Sequence, residues 1–125
     1  MTKRKLINTA KKMVGEFTLS KSFLTAGSVA AALLTKSGNI YTGICIDLAC
    51  GIGFCAEHSA IAEMLKNRET EIKMIVAVTK NKILPPCGRC REMMIQIDKK
   101  NQNTVVILSK KKQTKLSHLL PIKWY

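Results

Sequence analysis

Ser28-Val29-Ala30-Ala31-Ala32-Leu33-Leu34-Thr35, then Lys36-Ser37-Gly38-Asn39, then the run Ile40 to Ile46: this stretch decides the fold. The first run is apolar, built of small residues and short enough for a buried strand. Ser-Gly and Asn supply the positive φ of a turn at little steric cost. The second run is then the partner strand, and the pair reads as a hairpin.

Outward from the hairpin, helical and strand signals alternate. Upstream, Thr2 to Phe17 carries Leu6, Ile7, Ala10, Met13, Val14 and Phe17 at helical spacing, followed by a loop from Ser20 to Gly27. Downstream, Cys50-Gly51-Ile52-Gly53-Phe54 has two glycines and reads as a loop with close backbone approach or unusual dihedrals. A helix runs from Cys55 to about Asn67, with Ala56, Ile61, Ala62 and Leu65 on one face. Ile72 to Thr79 is a strand. Asn81 to Pro86 is a loop whose prolines exclude a central strand. Cys87 to Ile97 is a second such helix, Thr104 to Leu108 a last strand, and Leu116 to Leu120 a short helix stopped by Pro121. This order predicts an α/β fold: one domain over residues 1–125, with a mixed sheet covered by helices on both faces.

Composition narrows the function. Hydrophobic residues make up 46% of the chain, enough for a core without disulfide staples. No run of about eighteen apolar residues suggests a membrane span. The basic start, Met1-Thr2-Lys3-Arg4-Lys5, is followed by a segment too broken by polar residues for a signal peptide. The chain therefore reads as cytoplasmic, where thiols stay reduced. Five cysteines are an odd number for a disulfide framework, and the C-x-x-C pair points to metal or redox use. Cys45 and Cys50 fall in an apolar stretch and read as packing residues. The net charge of +13 favours phosphates or nucleic acid. Yet the lysines are scattered, with one tight cluster at Lys110-Lys111-Lys112, and few aromatics are interleaved, which argues against nucleic acid as the ligand.

Chemistry concentrates in two segments, Cys55-Ala56-Glu57 and Pro86-Cys87-Gly88-Arg89-Cys90. Each cysteine segment opens a helix, where backbone N–H groups and the helix dipole favour a thiolate. Cys87 and Cys90 share one face of a helical turn, and Cys55 adds a third sulfur from the other helix. Three protein ligands leave one tetrahedral position open, the mark of a catalytic Zn2+, which makes hydroxide available near neutral pH. Glu57 is spaced to face that position as a proton carrier without being a ligand. A redox dithiol would need neither Cys55 nor Glu57. A closed structural zinc would recruit Cys45, Cys50 or His58 as fourth ligand. Trp124 reads either as a stacking residue on a base or as a packing residue.

The combined C-x-E and P-C-x-x-C pattern matches the zinc nucleobase deaminase signature, and the sequence resembles the cytidine deaminase family. The matches are Cys55-Ala56-Glu57, the segment Pro86-Cys87-Gly88-Arg89-Cys90-Arg91-Glu92, and the strand and turn Val29 to Gly38. The resemblance runs from about Val29 to the C-terminus. With cysteine first, the chain looks like the three-cysteine nucleoside deaminases. Its ending, Leu119-Leu120-Pro121-Ile122-Lys123-Trp124, is similar to that of the blasticidin S deaminase branch.

The resemblance implies a three-layer α-β-α sandwich with a mixed, about five-stranded sheet. It implies zinc held by Cys55, Cys87 and Cys90, proton shuttling by Glu57, and attack at C4 of a cytosine ring with release of ammonia. It places the Ala56 and Cys87 main chains against the ring edge, and Cys45 and Asp47 where relatives use an Asn-x-Glu pair for the ribose. It further implies a homotetramer acting on a small-molecule nucleoside in pyrimidine salvage. The chain departs from the pattern at Cys45, at the shortened acid Asp47, at Gly27 where an aromatic is common, and at His58 where many three-cysteine members have arginine. The expected function is deamination of cytidine or deoxycytidine. A blasticidin S-type or other nucleoside analogue is the alternative substrate, and a basic nucleic-acid-binding module with structural zinc is the alternative of another class.

Overall fold

The hairpin is the spine of the molecule in the computed structural model, which describes residues 2–124. Strand β2 (Thr25–Thr35) runs antiparallel to β3 (Ile40–Asp47), with Ala30 opposite Ile44 and Leu34 opposite Ile40. The turn closes by a hydrogen bond from the Thr35 N–H to the Asn39 carbonyl, 2.8 Å, with Gly38 at φ +93°. Glycine takes that conformation without the clash other residues meet.

On the other edge of β2 lies antiparallel β4 (Ile72–Val78), then β6 (Val105–Ile107) parallel to β4, then antiparallel β7 (Gln113–Lys115). The main path β3-β2-β4-β6-β7 is thus a mixed five-stranded sheet. Two-residue strands β1 (Phe17–Thr18) and β5 (Ile83–Leu84) pair with β2 and β4.

Alternation along β2 separates two cores. Ala32 and Leu34 face α1 (Lys3–Met13), whose Leu6, Ile7 and Ala10 bury against them and against Val76, Val78 and Ile107. Burying Leu6 and Ile7 stabilises this layer by about 1.5–3 kcal/mol each. Leu33 faces the opposite side, where α2 (Ala56–Lys66), α3 (Gly88–Ile97) and α4 (Leu116–Leu119) supply Ile61, Met64, Met94, Ile95 and Leu116. The result is the expected three layers.

Several boundaries differ from the sequence reading. Helix α1 stops at Met13 because Val14 turns extended, and the Gly15 N–H then donates to the Gly27 carbonyl at 2.8 Å. Met13 and Phe17 are about half exposed, so no core rewarded a longer helix. Strand β2 begins at Thr25, inside the expected loop, through a bulge between Ala26 and Ala30. Strands β5 and β7 and the 3-10 turn Lys99–Asn103 also lie where no regular element was expected.

Two devices fix the helices that carry the cysteines. Gly43 lets α2 lie against β3: a Cβ there would overlap the Ala60 backbone and the Ser59 side chain. Asn101, fully buried, ties α3 to β4: its amide donates to the Met94 carbonyl at 2.8 Å and to the Thr70 carbonyl at 3.0 Å, while its oxygen accepts the Ile72 N–H at 2.8 Å.

Candidate metal and substrate site

Cys55 and Cys87 are the N-cap residues of α2 and α3, and neither side chain is used as a cap. The Cys50–Phe54 loop delivers Cys55 by folding back on β3. Phe54 and Ile46 exchange two backbone hydrogen bonds of 3.0 Å, and a Cβ on Gly53 would overlap the Ile46 carbonyl. Unusual dihedrals are present as well: Cys50 has φ 61° and Gly51 φ 67°. Cys50 is exposed, contrary to the packing role expected from its apolar surroundings.

The structure brings the three predicted thiols together. The Cys55 and Cys87 sulfurs are 3.4 Å apart, and those of Cys87 and Cys90 are 3.5 Å apart. The His58 Nε2 lies 3.4 Å from the Cys90 sulfur, and Cys55, His58 and Cys90 place donor atoms within 4.8 Å of one another. His58 is buried and meets Phe54 edge-on, with ring centroids 6.2 Å apart. Four-coordinate zinc with Zn–S bonds of about 2.3 Å spaces its sulfurs by about 3.8 Å, so the thiols already stand near that spacing.

The electrostatics call for a cation. Burial, with the Cys87 thiol next, pushes the Cys55 thiol up to about 11, and burial raises Cys90 further. Burial also acts on Cys87, but backbone N–H groups of Cys90 and Arg89 and the neighbouring thiols outweigh it, and its pKa falls. Three sulfurs at this spacing cannot all ionise without a compensating charge. A divalent soft-to-borderline metal supplies that charge, and zinc fits a set of Cys and His donors. His58 is lowered chiefly by burial and then by the Arg89 charge, which favours its neutral form.

Glu57, in the first turn of α2, is 5% exposed. Burial raises its carboxyl above the usual range, with its own backbone N–H and the Cys90 thiol pulling the other way. A carboxyl moved toward neutrality is suited to carry a proton in both directions.

A cavity of about 470 Å³ opens beside these groups, lined among others by Ala56, Glu57, Cys87, Cys45, Asp47 and Arg89. Its volume lies in the range of small-molecule sites. Trp124 does not line it and is 79% exposed. Cys45 is buried, with its sulfur 3.3 Å from the Val29 N–H and 3.2 Å from the Ser28 hydroxyl.

Three residues escaped the sequence reading of roles. Ser28 lines the cavity beside Cys45, and nothing in its neighbourhood marks it except the bulge, which only pairing reveals. Arg89 is a cation at the cavity wall, set between Cys87 and Cys90 in the sequence. Arg91 donates from Nε to the Pro86 carbonyl at 2.8 Å and from Nη1 to the Leu119 carbonyl at 3.1 Å, clamping the cysteine loop to α4.

Residues 2–108 match the family profile of the cytidine and deoxycytidylate deaminase zinc-binding region. A cytidine deaminase of Halalkalibacterium halodurans is 35% identical over 71 residues, 55% of this chain and 54% of that protein. A probable cytidine deaminase of Dictyostelium discoideum is 32% identical over 71 residues, 54% of this chain and 48% of that protein. The chain thus spans about half the length of the curated relatives it matches. Among solved structures, cytidine deaminase from Burkholderia pseudomallei superposes with a TM-score of 0.79 at 28% identity, covering 99% of this chain and 100% of the other. The Mycobacterium tuberculosis enzyme shares the fold with a TM-score of 0.81 at 22% identity, covering 98% and 96%.

Proposed function

This chain belongs to the cytidine and deoxycytidylate deaminase zinc-binding family, and on that premise we propose that it is a zinc-dependent hydrolytic deaminase of free aminopyrimidine nucleosides. The observation that carries the reading is a buried carboxyl, Glu57, beside three clustered thiols at the wall of a nucleoside-sized cavity. Cytidine or deoxycytidine is the substrate, and uridine or deoxyuridine with ammonia the products, as expected of pyrimidine salvage in the cytoplasm.

Cys55, Cys87 and Cys90 would hold the zinc, with His58 steadying Cys90 through the 3.4 Å contact. Zinc, when bound there, would supply Lewis acidity and make hydroxide available at neutral pH. Glu57 would take a proton from the attacking water and deliver one to the leaving amine, so that the amino group departs as ammonia and the water's second proton ends on the ring nitrogen. The main chains of Ala56 and Cys87 meet the polar edge of the ring, and the cavity wall at Cys45 and Asp47 meets the sugar. The chain acts as one zinc domain over residues 1–125 and assembles as a homotetramer. The large exposed apolar side chains Phe23, Ile52, Ile122 and Trp124 support association, and Trp124 would then complete a neighbouring copy's pocket.

A second substrate within the class, a blasticidin S-type nucleoside, is favoured by the sulfur of Cys45, which stands where an amide would grip a ribose. A panel of cytidine, deoxycytidine, cytosine, blasticidin S and a purine nucleoside on the zinc-loaded protein tests the proposal. Ammonia release from the first two supports it. Turnover of the purine alone sinks it, and oligonucleotide binding with steep salt dependence and no deamination would favour the nucleic-acid module.

A further inference from the structure

We propose that a basic cleft on the α1 face of the sheet binds a strand of nucleic acid by its phosphate backbone alone, apart from the catalytic cavity. Charge is unevenly distributed along the chain. Residues 1–15 and 99–125 carry twelve of the 21 lysines and arginines and none of the eight aspartates and glutamates. Folding joins parts of these two segments. Ile107 of β6 packs in the same core as Leu6, Ile7 and Ala10 of α1, so the turn after β6 lies beside the start of that helix. Between them opens a cleft of about 600 Å³, lined by Lys3, Arg4, Ile7, Asn8 and Lys11 from α1 and by Lys110 from the turn. The turn is held closed: the Leu108 and Ser109 N–H groups donate to the Lys112 carbonyl at 3.0 and 3.1 Å, and the Ser109 hydroxyl accepts the Lys111 and Lys112 N–H groups at 3.2 and 2.9 Å.

The lining suits a row of phosphates. The α1 residues recur at helical spacing, so the stripe from Lys3 to Lys11 runs about 12 Å along the helix axis. A nucleic-acid strand in a duplex places a phosphate about every 3.4 Å, so three to four fit along it. No carboxylate lines the cleft, and among the described residues Lys3, Arg4, Lys11 and Lys110 are in no ion pair. Lys3, Arg4 and Lys5 open α1 without an acidic residue in the first turn, against the helix dipole, and a bound anion offsets that cost. No aromatic side chain lines the cleft, so bases have nothing to stack on and recognition rests on phosphate. The lysines that look scattered along the sequence are thus neighbours in space, while the shortage of aromatics still rules out a stacking platform. A cleft of this shape admits a strand rather than the flat face of a bilayer. It shares no residue with the catalytic cavity, and α1 covers the side of the sheet away from α2 and α3. A strand bound there leaves the cavity open.

The test is fluorescence anisotropy of labelled oligouridylate and oligoadenylate of about twelve nucleotides, titrated with the zinc-loaded full chain over a range of salt. Four phosphate contacts predict a slope of about −3 in log affinity against log salt, or about 50-fold weaker binding over a roughly fourfold rise in salt. Lys3→Gln, Arg4→Gln, Lys11→Gln and Lys110→Gln should each weaken both oligomers alike and reduce the slope by about one, at unchanged melting temperature. Lys66→Gln removes the same charge from α2, outside the cleft, and should leave binding unchanged. Saturating uridine should not compete. No binding at low salt, equal effects of Lys66→Gln and the cleft variants, or competition by uridine overturns the proposal. So does displacement of the oligomer by tripolyphosphate at equal phosphate concentration, or tighter binding to vesicles of anionic phospholipid. Ammonia release from cytidine, followed in parallel, decides the deamination reading separately: the cleft variants should not alter it, and its absence leaves the predicted slopes as support for the cleft.

Discussion

Truncating Asn101 to alanine should be among the costliest single changes outside the metal cluster. Asn101 is fully buried and makes three backbone contacts of 2.8–3.0 Å, to Ile72, Met94 and Thr70. Removing its amide leaves the Ile72 N–H and the Met94 carbonyl without partners in the interior, and the half-buried Thr70 carbonyl with water at best. A buried polar group left unpaired costs about 1–3 kcal/mol, so the expected loss is about 3 kcal/mol in total. Urea unfolding should show a lower midpoint at unchanged slope, since the surface exposed on unfolding is the same. Asn101→Asp should do no better at neutral pH, because its second oxygen would face the Met94 and Thr70 carbonyls in place of a donor. A loss below about 1 kcal/mol for both variants would refute this account of how α3, and with it Cys90, is anchored.

Two further predictions concern the turn and the cysteine loop. The Tyr41 hydroxyl, 2.6 Å from Glu69, holds that carboxyl at about 2, below its ordinary 4.5, with Thr35 and Asn39 assisting. A depressed carboxyl contributes stability that is complete above 4.5 and lost as pH falls toward 2; Tyr41→Phe should flatten stability against pH in that window, and parallel curves would refute the assignment. Arg91→Ala removes the clamp on the Pro86 and Leu119 carbonyls; zinc affinity, measured by competition with a chelator, should fall at least about tenfold, Arg91→Lys should not restore it because one ammonium cannot make both contacts, and unchanged affinity would contradict the positioning role.

Much of this was legible because it depends on local chemistry. The Val29–Gly38 segment specified the hairpin through small apolar residues and a positive-φ turn, and the structure places β2 at the centre of the sheet. The spacing of Cys55, Glu57, Cys87 and Cys90 named a cluster that the two helix N-termini bring together. What stayed hidden depends on partners distant in sequence. The end of α1 is set by the edge of β2, which takes up Gly15 and Phe17. Strand β7 is drawn into the sheet by β6, since Gln113-Thr114-Lys115 has no strand pattern of its own. Ser28 and Asn101 are single polar residues whose value appears only when the groups around them are known. Gly27, where an aromatic was expected, has φ +89° and a Cβ there would overlap the Gly15 carbonyl, so the glycine is required by the way β1 joins the sheet.

The central claim is that Glu57 moves the proton while the three thiols hold the zinc. Glu57→Gln keeps the shape of the side chain and removes its proton chemistry. Zinc content and ammonia release from cytidine, measured together on the variant and the unsubstituted protein, test the claim directly. The account predicts that zinc is retained at one ion per chain while turnover falls by about 10²–10⁴-fold. Full turnover in the variant, or loss of zinc along with activity, would contradict it.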